Sequence, residues 1–330
     1  MHGPQPSRRV LSIQSHVVYG YVGNKASTFP LQLLGFDVDP INTVQFSNHT
    51  GYPAFTGQRI DGDQLESLFD GLEKNGMLND YSNVITGYIG RKNTLEVTQR
   101  FIEKLKRKHP SVQYVLDPVM GDEGRLYVSE ELIPIYKQMC RLADIVTPNS
   151  FEAEILSDVK VDCTTSAIEA CRKINDMGAR IVIITSAQLG DQDNPSETLH
   201  LVAYLRLEDQ ARAKAFLISF PKLQGYFTGT GDMFASLLLA HIHMAQSRHQ
   251  GSLQTARWLE EACELAVATM NQVLMETSKL SAEASTGSSG EPVDGPGTTL
   301  LIRRRELRLI QSKKHIEAPH VLFKARDLEL

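Results

Sequence analysis

Gly229-Thr230-Gly231-Asp232 opens an apolar-periodic segment that runs from Met233 to Ile242. Phe234, Leu237, Leu238, His241 and Ile242 recur at i, i+3, i+4, i+7 and i+8, the spacing of one helix face. The two glycines let the backbone turn tightly and come close to a ligand. The first N–H groups of a helix lack intrahelical partners and can bind an anion. Asp232 falls at that same end, where the helix dipole favours its carboxylate. An anion hole made by the amides of Gly229, Thr230 and Gly231, beside a carboxylate, suits phosphoryl transfer with Asp232 as proton acceptor. The same four residues also spell an ordinary turn with an aspartate N-cap, so the rest of the chain has to decide.

The elements that would position this turn alternate. Apolar runs at Val10–Ile13, Val38–Phe46, Asn83–Tyr88, Tyr114–Pro118, Asp144–Asn149 and Ile181–Ser186 read as strands. Between them, Lys25–Leu34, Leu65–Leu72, Leu95–Lys108, Glu131–Leu142, Phe151–Leu156 and Ala167–Met177 read as helices. Continuous apolar strands alternating with helices predict a mainly parallel sheet covered on both faces. Five strands end on polar groups: Ser15, Thr86, Asp117, Thr147 and Thr185. Ligands of open α/β sheets bind outside the carboxyl ends of the strands, so these five could share one site. Leu199–Arg206 and Ala215–Phe220 read as an antiparallel pair joined by Glu208–Lys214. Ala256–Leu280 reads as a long helix. Residues 281–299, rich in Ser, Gly, Pro and Glu, read as a disordered insertion.

Length and composition narrow the class. The 330 residues are 42% hydrophobic with a formal net charge of -5, enough for one large α/β core. Mild acidity gives no reason to expect nucleic acid. The basic runs at 104–108 and 303–305 read as solvated helix or loop ends. No apolar run reaches the length of a membrane span. Cys140, Cys163, Cys171 and Cys263 lack metal-site spacing and fit a reducing compartment, hence the cytoplasm. Residues 1–9 show no apolar signal region and are expected to form a flexible arm. A single domain over 10–330 is expected. A P-loop is absent, and the Gly229 turn lacks the third glycine of a dinucleotide fingerprint.

Further motifs add a resemblance. Asp117-Pro118-Val119, Thr147-Pro148-Asn149 with Glu152, and the Gly-Thr-Gly-Asp turn together resemble the ribokinase-like superfamily, three-layer α/β/α sandwiches with a small flap. Leu11–Val17, Gly20–Asn24, Gln45–Tyr52, TPNSFEAE at Thr147–Glu154 and LRLIQSKKHI at Leu307–Ile316 resemble the animal pyridoxal kinases. The resemblance covers about residues 8–280 and 300–325. It implies ATP-dependent phosphorylation of the 5′-hydroxymethyl group of pyridoxal, pyridoxine and pyridoxamine by a homodimer.

The resemblance also assigns roles. Asp232 would take the hydroxyl proton, and Ser15 and Thr50 would hydrogen-bond the pyridine ring. Val22, Phe46 and Tyr88 would wall it, with Tyr127 closing over the phosphates. Asp117, Asn149, Thr185, Ser186, Leu223, Thr230 and Gly231 would lie on the nucleotide side. Asp117, Asp122, Thr147, Glu152 and Thr185 would manage Mg2+ (or another divalent such as Zn2+) and K+ (or Na+). The flap is expected around residues 48–60. Three features depart from the pattern: a short segment after Asp122, a long 281–299 tract and Thr228 at a usually apolar position. A kinase acting on hydroxymethylpyrimidine and a catalytically silent binder of vitamin B6 or nucleotide are the alternative readings.

Overall fold

The computed structural model describes residues 7–190, 197–207, 212–248, 257–286 and 299–330. In chain order the elements are β1 (Arg9–Val17), α1 (Asn24–Leu33), β2 (Asp37–Phe46), β3 (Gly57–Arg59), α2 (Gly62–Lys74), β4 (Tyr81–Thr86), α3 (Lys92–Lys108), β5 (Gln113–Leu116), β6 (Gly121–Asp122), β7 (Arg125–Leu126) and α4 (Ile133–Met139). Then come β8 (Ile145–Val146), α5 (Ser150–Ser157), α6 (Thr164–Met177), β9 (Ile181–Ala187), β10 (Thr198–Arg206), β11 (Ala213–Pro221), α7 (Thr230–Arg248), α8 (Arg257–Thr286), α9 (Thr299–Arg304), α10 (Lys313–Glu317) and β12 (Arg326–Leu328).

One ten-stranded sheet orders them β12-β11-β10-β9-β8-β5-β4-β1-β2-β3. From β2 through β9 every neighbouring pair is parallel. The outer pairs, β9 with β10, β10 with β11, β11 with β12 and β2 with β3, are antiparallel. Successive residues of the central strands serve opposite faces, as the pleat requires. Leu11, Ile13, Val84, Tyr114 and Leu116 pack with α2–α6 residues such as Leu65, Phe101, Tyr136 and Ile174. Val10, Ile85, Val115 and Ile145 pack on the other face with Leu238 of α7 and Trp258 of α8. That is the three-layer α/β/α arrangement, and both faces being covered is why the strands read as unbroken apolar runs.

Several boundaries differ from the sequence reading. Strand β1 continues to Val17, so Ser15 lies inside the strand rather than at its end. The strand also begins within the expected arm, where Arg9 pairs with Asp39 at 2.9 Å. Residues 1–6 lie outside the described residues, as do 191–196, 208–211 in the β10–β11 connection, and 249–256. Helix α8 runs to Thr286, past the expected stop at Leu280, and 287–298 lie outside the described residues. The stretch 48–60 leaves β2, passes through an exposed loop and returns as the edge strand β3. That is the place expected for the flap.

Candidate active site

The parallel register sets the site. Ile13 aligns with Thr86, Thr86 with Leu116, Leu116 with Val146 and Val146 with Val182. Thr86 therefore closes β4, and Asp117 and Thr147 follow directly on β5 and β8 along one edge, while Ser15 and Thr185, expected as strand ends, lie inside β1 and β9. Main-chain bonds extend the ladder there: Asp117 N–H donates to the Thr86 carbonyl at 3.0 Å, and Thr147 N–H to the Leu116 carbonyl at 3.0 Å.

The turn before α7 closes over this edge. Gly229 has φ +84, a conformation that disfavours any side chain, and a Cβ there would lie 2.0 Å from the Tyr21 carbonyl oxygen. Across Gly231 sits Asp117, whose Oδ2 would be 3.7 Å from a Cβ on that glycine. Asp232, in the first turn of α7, accepts a 2.7 Å hydrogen bond through Oδ2 from Gly23 N–H. Gly23 itself has φ 54 and ψ -136, and a Cβ there would meet the Ser15 carbonyl at 2.0 Å and Ser15 Oγ at 2.4 Å. Ser15, Gly23 and Asp232 thus form a continuous line between β1 and α7. The protein around Asp232 pushes its carboxyl above the ordinary aspartate value, and the Gly23 N–H opposes that rise.

Beneath this line runs a buried polar network between β1 and α1. Gln14 Nε2 donates to Ser12 Oγ and Ser27 Oγ, each at 2.9 Å, and Ser12 Oγ donates to Asn24 Oδ1 at 2.7 Å. Ser27 Oγ then donates to the Asp232 carbonyl at 2.9 Å. Sequence reasoning missed these four residues as a set. Ser12 and Gln14 are polar residues inside an apolar strand, which also fits a strand ending, and Asn24 and Ser27 are polar residues of the following helix.

A second cluster gathers the carboxylates. Burial pushes Asp117 well above the ordinary aspartate value, with Glu152 and Asp232 adding repulsion. Its buried Oδ2 has no hydrogen-bond partner. Glu152 is pushed up to about 8 by burial, against the main-chain donors of Asn149, Met120 and Gly121. Those donors lie 3.0, 2.9 and 3.4 Å from its oxygens. Asn149 and Glu152 form a reciprocal capping box on α5, and Asn149 Nδ2 donates to the Gly121 carbonyl at 2.8 Å. Both side chains hold the 118–122 loop against α5.

The short segment after Asp122 makes a tight hairpin, β6 to β7. Glu123 at φ 47 and Gly124 at φ 77 supply the two positive angles of a two-residue turn. Burial raises the Asp122 carboxyl while the Glu123 N–H, at 2.8 Å, opposes it. Tyr127 then meets Tyr226, hydroxyl to hydroxyl at 2.9 Å, so the hairpin reaches the loop that precedes the Gly229 turn.

The expected apolar wall falls together: Val22 and Phe46 are buried with Val17 and Val44, and Tyr88 packs against them. Thr50 is exposed on the loop after β2. Ser186 lies in β9 next to Thr185, and Leu223 follows β11, both partly buried. Thr147 Oγ1 and Thr185 Oγ1 make only long contacts, 3.4 Å, to the Leu116 and Pro148 carbonyls, and Thr230 Oγ1 one of 3.5 Å to the Phe227 carbonyl. Thr185 and Thr230 are partly exposed, whereas Thr147 is buried. Among the described residues, no group of three or more His, Cys, Asp or Glu is placed to hold a metal ion by itself.

Known proteins resemble this chain over nearly its whole length. Residues 63–276 match the phosphomethylpyrimidine kinase family. The chain is 43% identical to a pyridoxal kinase of Arabidopsis thaliana, over 98% of this chain and 95% of that one. It is 40% identical to the pyridoxal kinase of Homo sapiens, over 97% and 98%. Its backbone superposes with a TM-score of 0.82, at 34% identity, on pyridoxal kinase from Leishmania donovani in complex with ADP and pyridoxamine, covering 98% of this chain and 100% of that one. With the ribokinase-like sheet, the Gly-Thr-Gly-Asp turn and near full-length likeness in hand, the chain belongs to the pyridoxal kinase family.

Proposed function

We propose that this chain transfers the γ-phosphoryl group of ATP to the 5′-hydroxymethyl group of pyridoxal, pyridoxine and pyridoxamine. The observation that carries the reading is the line Ser15–Gly23–Asp232, which joins the apolar wall of Val22, Phe46 and Tyr88 to the Gly229 turn. A pyridine ring lying on that wall brings its hydroxymethyl group toward Asp232. Ser15 and Thr50 hydroxyls, which both donate and accept, read the ring substituents. Asp232 orients the hydroxyl and takes its proton as the new O–P bond forms. Its raised affinity for a proton makes it a better acceptor than a free aspartate. The amides of Gly229, Thr230 and Gly231 face the transferring phosphoryl group, where preorganised donors lower the barrier most. Asn149, Thr185, Ser186 and Leu223 line the nucleotide side, and Tyr127 on its hairpin covers the phosphates.

The donor set fits a cation. Asp117 Oδ2 is buried and unpartnered beside two further carboxylates, a cost that a bound cation offsets. Asp117, Asp122 and Glu152 suit Mg2+, which binds through few carboxylates and completes its shell with phosphate oxygens. Asp117, Thr147 and Thr185 suit K+. Such ions, when bound, neutralise phosphate charge. The enzyme is further proposed to act as a homodimer in the cytoplasm, where its four cysteines, three of them buried and none paired, stay reduced. Among the described residues no helix is long and apolar enough to cross a membrane.

The test is Asp232→Ala. It should retain ADP and pyridoxal binding by titration while kcat falls by about 10²–10⁴, the usual worth of a positioned base. An Asp232→Ala enzyme turning over at the wild-type rate would remove Asp232 from the mechanism.

A further inference from the structure

Outside the site just described lies a buried carboxylate with three partners. Glu306 follows α9, and only about 6% of its surface is exposed. Its Oε2 accepts from Tyr21 N–H at 3.1 Å. Its Oε1 accepts from the Tyr52 hydroxyl at 2.9 Å and lies 3.3 Å from His49 Nε2. Gly20, at φ +91, lets the loop come this close, since a Cβ there would sit 2.3 Å from Oε2. The two loops held here are the glycine loop, residues 20–23, and the flap, residues 48–56. The residues leading into them are joined as well, Tyr19 N–H donating to the Ser47 carbonyl at 2.9 Å.

The glycine loop is what Asp232 leans on. Tyr21 presents its N–H to Glu306 and its carbonyl oxygen to Gly229, the first residue of the proposed anion hole. Two residues on, Gly23 N–H donates to Asp232. One carboxylate thus anchors the loop that seats the base and the flap above the apolar wall. Burial and the bond to Glu306 raise the Tyr52 hydroxyl far above its ordinary value, so it stays a donor throughout the neutral range.

Resting on the kinase reading above, we infer that Glu306 is a positioning residue for phosphoryl transfer: through Tyr21 and Tyr52 it registers the flap and the glycine loop against Asp232, without touching substrate. Its value lies in geometry rather than in stability. A carboxylate accepts from Tyr21 through one oxygen and from Tyr52 through the other, whereas an amide has one acceptor oxygen and leaves one of these buried donors unpaired.

The experiment compares wild type with Glu306→Gln, Glu306→Asp and Tyr52→Phe in steady-state kinetics, with ADP affinity by calorimetry on the same preparations. Wild type must first form pyridoxal 5′-phosphate. If it does not, the kinase reading fails and not this inference. Glu306→Gln should lower kcat/KM for pyridoxal roughly tenfold or more, the scale of one hydrogen bond to a charged group. ADP affinity and far-ultraviolet circular dichroism should stay unchanged. Tyr52→Phe should raise the pyridoxal KM with little effect on kcat, and should add less to Glu306→Gln than it does to wild type. Glu306→Asp should recover part of kcat. Wild-type kinetics in Glu306→Gln would overturn the inference. So would equal losses toward pyridoxal and ADP, which would make Glu306 a general structural residue. Additive effects of the two changes would overturn the shared anchor.

Discussion

Gly23 carries two duties at one backbone position, and Gly23→Ala separates them from everything else. The residue sits at φ 54 and ψ -136, before the first turn of α1. A non-glycine residue held in such a region costs on the order of 1–3 kcal/mol. Strain is the smaller part. The added methyl would lie 2.0 Å from the Ser15 carbonyl and 2.4 Å from Ser15 Oγ, distances no packed atoms adopt. One side must move: β1 is held on both edges only as far as Ile13, and Ser15 falls at the register irregularity between Gln14 and His16. Either movement opens the contact between Ser15 and Gly23, and a shift of the loop takes with it the N–H that donates to Asp232 at 2.7 Å. Losing a hydrogen bond to a carboxylate costs about 1.5–3 kcal/mol, which corresponds to roughly 10–150-fold in kcat/KM. The assay is initial-rate formation of pyridoxal 5′-phosphate by absorbance, with thermal unfolding in parallel. Both kcat for pyridoxal and thermal stability should fall, and ADP affinity should hold. A Gly23→Ala enzyme with wild-type kcat and melting temperature would refute the account of how base and ring pocket are joined.

Other consequences follow from the same geometry. Phe46→Ala opens the wall shared with Val22 and Tyr88, so the pyridoxal KM should rise while the ATP KM stays put; equal increases would move the ring pocket elsewhere. Asp117→Ala removes the buried, unpartnered oxygen facing Gly231, so turnover should lose its dependence on K+ concentration; an unchanged dependence would place the monovalent ion at other residues. His241, buried on α7 with both ring nitrogens unpartnered, is pushed down to about 4 by burial. Its folded value lies below the unfolded one, so the stability it contributes is complete above pH 6.5 and is lost as pH falls from there toward 4. The linkage amounts to about 3 kcal/mol. His241→Leu should flatten the acid limb of stability against pH between 6.5 and 4 in urea titrations, and an acid limb as steep as wild type would contradict that assignment.

Much of this is legible in the sequence alone. The central strands are unbroken apolar runs because helices cover both faces, so Val84-Ile85 and Ile181-Val182-Ile183-Ile184 announce themselves without reference to neighbours. The Gly229 turn was legible because glycine spacing and helix periodicity are local properties. What was hidden is what the fold closes over long stretches of sequence. Tyr21 and Glu306 are 285 residues apart, and Gly23 and Asp232 are 209 apart. No local pattern links such pairs, and a glutamate in a basic run reads as surface. Ser12, Gln14, Asn24 and Ser27 were hidden for a different reason. Ser12 and Gln14 are polar residues in a strand, which mark either its end or a buried network, Asn24 and Ser27 are polar positions of a helix, and only packing brings the four together. The end of β1 was misplaced on that account, since Ser15 looked like a terminus and instead lies within the strand.

The measurement that bears most directly on the central claim is a substrate comparison with the purified wild-type chain. Pyridoxal, pyridoxine and hydroxymethylpyrimidine would each be incubated with ATP, Mg2+ and K+, and phosphorylated product quantified by chromatography. The account predicts ATP-dependent formation of pyridoxal 5′-phosphate, with kcat/KM for the pyridines well above that for the pyrimidine. A preference for hydroxymethylpyrimidine would contradict the substrate assignment. Tight pyridoxal binding with no product from any of the three would contradict the kinase chemistry itself.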